Sequence, residues 1–235
     1  MVVAEAQVPL GLVRDRWVVG IDEAGRGAVL GPLVVAGVWA PEARLPQLSQ
    51  LGAQDSKRVP RKKRKEILLE LARAAKIRVV VIPARTVDRM NLTELELQAA
   101  GEVVRRLVAN QNSPGTVVVD APVPRAAIPK FGANLAREAG LPAEAIRIYP
   151  RADASHPAVA AASLAAKVVR DAYVVFLRRE YGDFGWGYPG EERVREFLGR
   201  WLADHGDFPD ICRTRWRAAQ RLLSNPFPGF RPRCD

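Results

Sequence analysis

Residues Trp17–Gly31, WVVGIDEAGRGAVLG, constrain this chain more than any other stretch. An apolar run of buried-strand character drives straight into two adjacent carboxylates, Asp22 and Glu23, and then into a Gly25-Arg26-Gly27 turn. Carboxylates crowded at the end of a core strand repel each other and lose hydration, and a divalent cation relieves both costs. The glycines let main-chain N–H groups approach a ligand closely. The stretch therefore points to a metal-dependent site that handles something phosphate-like. Strand alternation adds a condition, because neighbours on a regular strand face opposite ways. Asp22 and Glu23 can serve one cluster only if the chain bends at Glu23, and the glycines that follow make such a bend plausible.

The rest of the chain reads as an α/β order. Trp17–Ile21 and Leu33–Trp39 are β-branched runs on either side of the glycine turn and read as paired strands. Further strands are expected at Ile77–Ile82, Thr116–Asp120 and Ile146–Tyr149. Pro60 opens a helix whose apolar face is Ile67, Leu68, Leu71 and Ala75. Leu95–Val108 and, more weakly, Ala126–Ala139 follow as helices. From Pro157 to about Arg179 the pattern is helical and dense in alanine, and helical stretches recur at Glu191–His205 and Arg213–Leu223. The expected architecture is one α/β domain, a mixed central sheet flanked by helices, with a helical C-terminal extension packed on it.

A length of 235 residues is enough to bury a substantial core. The formal net charge of +10 indicates a polyanionic partner, since Lys and Arg gain affinity by displacing counterions from phosphates. The competing reading is a basic surface kept for solubility. Cys212 and Cys234 provide neither a disulfide framework nor zinc spacing, and two histidines, His156 and His205, exclude a histidine-rich metal site. The first residues carry Glu5, Asp15 and two arginines and lack a signal peptide's apolar centre. No run approaches the roughly 18 apolar residues of a membrane span. A soluble, cytoplasmic protein is the expectation.

Acids that end strands are the candidate chemistry. Asp22 and Glu23 end the first strand, Asp120 ends the fourth, and Asp153 stands just before the alanine-rich helix. Sites of open α/β sheets gather at strand ends, so these four can converge. All-oxygen ligands select hard cations, Mg²⁺ or Mn²⁺, over zinc. Two such ions about 3.5–4 Å apart activate water and stabilise the leaving oxygen of an in-line attack on phosphate. The bland alternative has Asp120 capping a turn and Asp153 capping the next helix.

At this point the chain resembles the ribonuclease HII family, from about Val18 to Leu222. The segments that carry the resemblance are GIDEAGRG (Gly20–Gly27), DSK (Asp55–Lys57), VVVDA (Val117–Ala121), ADASHPAVAAASLAAKVVRD (Ala152–Asp171) and YGDFGWGYPG (Tyr181–Gly190). The last of these, with HGDFPDICRTRW (His205–Trp216), is closer in style to archaeal members. The resemblance implies a ribonuclease H-like fold and cleavage of RNA in RNA/DNA hybrids and of ribonucleotides embedded in duplex DNA. It implies two-metal hydrolysis giving 5′-phosphate and 3′-hydroxyl ends. Asp22, Glu23, Asp120 and Asp153 match the family's metal-binding carboxylates. Gly25, Arg26 and Gly27 match the turn that contacts the ribonucleotide, and Tyr188 matches the tyrosine that helps sense the 2′-hydroxyl, the group that separates RNA from DNA. Residues 1–16 then read as a lead-in, 17–185 as the catalytic domain, 186–225 as a helical extension completing the substrate site, and 226–235 as a tail. The usual form of such a protein is a monomer.

Some features stay open between two readings. Lys57–Lys65, KRVPRKKRK, is a phosphate-tracking patch, with Lys57 nearest the substrate, or a solvated helix start. Ser163, Lys167 and Asp171 share a helix face. Ser163 and Lys167 reach a DNA phosphate, or Lys167 snorkels from a packed interface. Arg26 contacts the ribonucleotide or only positions a phosphate. Ala28 stands where many relatives have proline, and Trp186 replaces a small residue, where it crowds or stacks on the substrate. Gln220–Phe227 partly resembles a sliding-clamp binding box but carries Pro226 in place of an aromatic, and a plain helix end competes with it. Two other classes compete with the enzyme: a noncatalytic hybrid- or DNA-binding module, and a different metal nuclease of the same broad fold. A pure binder gains nothing from carboxylates that face phosphates, and integrase-like or junction-resolving nucleases lack the paired Gly-Arg-Gly and Gly-x-Gly-Tyr segments.

Overall fold

The computed structural model describes residues 16–53, 59–111 and 115–224, by backbone alone at 52–53 and 222–224. Among them five strands form one sheet in the order β3-β2-β1-β4-β5: β1 (Trp17–Ala24), β2 (Leu33–Pro41), β3 (Lys76–Ile82), β4 (Gly115–Asp120) and β5 (Ile146–Tyr149). The three strands β1, β2 and β3 pair antiparallel, whereas β4 runs parallel to both β1 and β5. The sheet is therefore mixed, and β1 is its centre. The helices are α1 (Leu45–Leu48), α2 (Arg61–Ala74), α3 (Ala84–Arg89), α4 (Leu92–Val108), α5 (Ile128–Ala139), α6 (Pro157–Tyr181), α7 (Glu192–His205) and α8 (Arg217–Ser224). None is long and apolar enough to cross a membrane.

Alternation along β1 decides which helix layer each side chain meets. Trp17, Val19 and Ile21 join Leu95, Ala99 and Val103 of α4 and Phe131 and Leu135 of α5 in one core. Val18 points the other way, into a second core with Leu71 of α2 and the alanines of α6. That second layer is very close. A Cβ on Gly20 would collide with the backbone of Ala158, so only glycine lets the first turns of α6 lie on β1. The buried Ala158–Ala162 run and Ala165–Ala166 serve the same approach. Asn91 opens α4, its side chain accepting the N–H of Glu94 at 3.1 Å, which places Glu96 one turn inside the helix on its buried side.

Beyond α6, the segment carrying α7 and α8 builds its own apolar cluster. Phe184, Val194, Phe197, Leu198 and Ile211 close around Val29 and Leu30, which lie just past the glycine turn. The N–H groups of Val29 and Leu30 both donate to Gly187 O, at 2.8 and 3.1 Å, and Gly31 N–H donates to Ile211 O at 2.9 Å. The expected helix at Glu191–His205 is α7, while the one at Arg213–Leu223 starts later, at Arg217. Residues before it are held in turns, Trp216 N–H bonding Arg213 O at 3.2 Å.

Candidate metal centre and substrate turn

The β1–β4 ladder ends at the pair Ile21–Val119, so Asp22, still within β1, and Asp120, the last residue of β4, follow side by side on adjacent parallel strands. Both point to the α6 face. Asp153 arrives from the short 3₁₀ turn Ala152–Ala154. Arg151, in front of it, is the one non-glycine residue among those described with a left-handed backbone, φ 59°. That conformation costs about 1 kcal/mol or more, and here it folds the chain back over β4. Ala152 N–H then donates to Asp120 Oδ1 at 2.9 Å. Carboxylate oxygens of Asp22, Asp120 and Asp153 lie within 4.8 Å of one another.

The electrostatics match a cation site. Burial, the largest cause, lifts the Asp22 carboxyl from 3.8 to about 6, with Asp120 adding to the rise, while hydrogen bonds from Ser163 and Glu23 N–H and the charge of Lys167 oppose it. The Glu23 N–H bond to Asp22 Oδ1 is 2.8 Å, and Lys167 Nζ donates to Ser163 Oγ at 2.7 Å. Asp120 is also raised, by burial first and by Asp153, against bonds from the backbone. Three oxygens gathered at such cost fit a hard divalent ion. Ser163 and Lys167, read from sequence as phosphate contacts or packing, are joined to this centre through Asp22.

The expected bend at Glu23 does not occur. β1 keeps its register with β2 through Ala24↔Val34, so alternation sends Glu23 to the α4 side and leaves it outside the three-aspartate group. Its carboxyl is raised well above the ordinary value by burial, then by Asp22 and Glu96, with Arg26 opposing. Arg26 Nη1 lies 4.0 Å from Glu23 Oε1 and donates to Glu96 Oε2 at 2.5 Å.

The chain turns only at Gly25, whose φ of +90° and whose contact with the Arg170 side chain and Pro32 O both exclude a Cβ. Two buried arginines, neither anticipated from sequence, hold the turn from beneath. Arg213 donates to Gly25 O at 2.8 Å, Arg26 O at 2.9 Å and Gly31 O at 3.3 Å. Arg170 donates to Pro32 O and Leu30 O at 3.3 Å and to Trp186 O at 2.9 Å. In a trans peptide the N–H opposes the C=O. Carbonyls of Gly25 and Arg26 drawn inward therefore turn the N–H groups of Arg26 and Gly27 outward, and a Cβ on Gly27 would meet none of the described residues within 4 Å. Tyr188 stands over the Arg170 guanidinium, 4.9 Å from ring centre to Cζ, with its ring partly exposed. Trp186, read as crowding or stacking on the substrate, carries the Arg61 guanidinium over its ring at 3.8 Å. Arg61 and Arg64 both sit 3.3 Å from Asp171, so two members of the basic run bind the protein itself. Lys57 lies outside the described residues.

Comparison with known proteins settles the class first. The fold superposes on the ribonuclease HII of Archaeoglobus fulgidus, solved in a complex with PCNA, with a TM-score of 0.76 at 33% identity over 87% of this chain and 96% of that one. The architecture is accordingly ribonuclease H-like. A family model for ribonuclease HII matches residues 19–219. Among curated relatives, the ribonuclease HII of Pyrococcus abyssi is 33% identical over 208 residues, 87% of this chain and 90% of its own. That of Aeropyrum pernix is 38% identical over 211 residues, 87% and 89% of the two chains. The chain belongs to the ribonuclease HII family, which makes it an enzyme, a metal-dependent hydrolase of RNA phosphodiester bonds.

Proposed function

We propose that this enzyme hydrolyses the RNA strand of RNA/DNA hybrids and also cuts at ribonucleotides embedded in duplex DNA, leaving 5′-phosphate and 3′-hydroxyl ends. One juxtaposition carries the reading: three converging aspartates beside a turn whose carbonyls are drawn inward and whose N–H groups at Arg26 and Gly27 therefore face outward. Asp22, Asp120 and Asp153 hold divalent metal, Mg²⁺ or Mn²⁺. Glu23 is kept as a fourth ligand of this centre on the family resemblance alone, since unbroken strand alternation turns its side chain to the other face of β1. Ions held there would supply Lewis-acid activation of a water and stabilisation of the leaving oxygen.

The protein's own groups do the positioning. The outward N–H groups of Arg26 and Gly27 are donors suited to a 2′-hydroxyl or its neighbouring phosphate. Tyr188, braced from below by Arg170, is a firm surface for the sugar beyond the junction. Ser163 and Lys167 fix Asp22 and place a cation next to the backbone of the bound strand. Segment 186–225 thereby completes the substrate site of the 17–185 domain. In this reading the enzyme acts as a cytoplasmic monomer. A sliding clamp is a further partner to test, through Gln220–Phe227, because the Archaeoglobus fulgidus ribonuclease HII was solved with PCNA; residues 225–227 lie outside those described.

The test uses three duplexes: DNA with a single ribonucleotide, a full RNA/DNA hybrid, and all-DNA, each with Mg²⁺, Mn²⁺ or EDTA. Cleavage of the first two, only with metal, is expected. Cutting of the all-DNA duplex, or cleavage that survives EDTA, overturns the proposal.

A further inference from the structure

Behind the glycine turn lies a buried acid that the metal centre does not use. Glu96 is 3% exposed and stands on the α4 side of the sheet, away from Asp22, Asp120 and Asp153. One of its oxygens, Oε2, takes the 2.5 Å bond from Arg26 Nη1, and the other, Oε1, is buried without a hydrogen bond. The same Arg26 nitrogen lies 4.0 Å from Glu23 Oε1. Arg213, which holds the turn's carbonyls, also acts electrostatically on Glu96. A buried carboxylate is costly to keep, and removing either partner of such a pair is costlier still.

The arrangement reverses what an arginine in a phosphate-facing turn ordinarily does. Free guanidinium groups reach for phosphate and give bidentate contacts. Here the guanidinium donates to the buried Glu96 carboxyl at 2.5 Å and lies 4.0 Å from Glu23, so it is engaged inside the protein rather than held out to a phosphate. We infer that Glu96 is a positioning residue that pins the Arg26 side chain behind the turn, so that the turn meets its substrate through backbone N–H groups and Arg26 makes no phosphate contact. Two anchors then fix the Gly25–Gly27 peptides: Arg213 through the carbonyls, and Glu96 through the Arg26 side chain. This rests on the proposed role of the turn in reading the ribonucleotide.

The experiment measures binding of an RNA/DNA hybrid in EDTA across salt concentrations, together with kcat and KM in Mg²⁺. The proteins are wild type, Arg26→Ala, Glu96→Gln and the double variant. A lost phosphate contact lowers the slope of log K against log salt by about 0.9. The expected result is the wild-type slope in Arg26→Ala and in the double variant, and a slope raised by up to about 0.9 in Glu96→Gln, where the released guanidinium can reach a phosphate. Each single variant should lose about 10- to 100-fold in kcat, the range seen when groups that orient a site are removed, with KM little changed. The double variant should be no worse than the poorer single one, because the two side chains act as a pair. Glu96→Gln keeps the shape but removes one partner of a buried pair and should lower the melting temperature, so kcat is compared at a temperature where circular dichroism shows every variant fully folded. A slope that falls by about one in Arg26→Ala, or losses that add in the double variant, overturns the inference. Failure of wild-type protein to favour ribonucleotide-containing duplexes would instead overturn the reading of the turn.

Discussion

Removing the charge of Asp22 should make the metal-free enzyme more stable. Burial is the leading reason that its carboxyl titrates at about 6 instead of 3.8. One pKa unit corresponds to 1.36 kcal/mol, so the ionised group costs the fold about 3 kcal/mol. The sign follows from the folded value lying above the unfolded one. The group's stabilisation is complete below the unfolded value and is lost as the pH rises through the folded value of about 6. At pH 7.5 the metal-free protein therefore bears the whole cost. Asp22→Asn keeps the shape and removes the charge. With a change of roughly 2–4 °C per kcal/mol for a chain of this size, its melting temperature in EDTA should lie about 6 °C or more above wild type at pH 7.5. The gap should narrow towards pH 5, as the wild-type carboxyl takes up its proton. Saturating Mg²⁺ should close or invert it, since an ion at a hundred times its dissociation constant stabilises the wild type by about 2.7 kcal/mol. The assay is a melting series over pH with and without metal. A variant that melts at or below wild type in EDTA at pH 7.5, with a gap that ignores pH, refutes the reasoning.

Other substitutions separate the parts of the site. Asp120→Asn should abolish turnover while a gel-shift assay still detects hybrid binding, and wild-type rates would remove Asp120 from the metal centre. Gly25→Ala should lower the melting temperature, since its Cβ meets Arg170 and Pro32 at a φ of +90°. Gly27→Ala, with open space around the added Cβ, should melt like wild type and still lose cleavage at single ribonucleotides. Arg213→Met leaves the Gly25, Arg26 and Gly31 carbonyls without their donor and should destabilise the protein by about 3 kcal/mol or more, measured by urea unfolding.

Much of the fold is legible in the sequence because apolar period and burial agree. The strands at Ile77–Ile82, Thr116–Asp120 and Ile146–Tyr149 match β3, β4 and β5 to within a residue, and Leu71 is buried on the expected face of α2. The short helices α1 and α3 are not anticipated, because four to six residues are too few to display a period. β1 runs to Ala24 rather than ending at Ile21, because β2 goes on pairing after β4 has stopped. Asp120 ends β4 as expected, whereas Asp22 lies two residues inside the end of β1 and Asp153 on a 3₁₀ turn. The sides they take, and the separation of Glu23 from them, depend on unbroken pairing across the sheet. The contacts of Arg170, Arg213 and Arg61 are hidden for another reason. The partners of Arg170 and Arg213 are mainly backbone carbonyls and those of Arg61 a ring and a carboxylate far along the chain, and no local pattern marks which arginines are buried or paired.

That hidden layer bears on the segment read from sequence as an extension packed on the catalytic domain. The turn from Gly25 to Pro32 satisfies little of its backbone by itself. Gly187 O and Ile211 O take its N–H groups at Val29, Leu30 and Gly31, and Arg213 takes three of its carbonyls. Buried backbone groups that lose such partners cost about 1–3 kcal/mol each. Without residues 186–213 the turn could not keep its carbonyls inward, and the N–H groups of Arg26 and Gly27 would have no reason to face outward. Asp22 and Asp120 sit on strands that pair without this segment, and Asp153 on the 3₁₀ turn that follows β5, so all three would stay close to their places. Loss of the C-terminal segment should thus separate the two halves of the site physically: a metal centre held by the sheet, and a ribonucleotide-reading turn that exists only while the extension is docked.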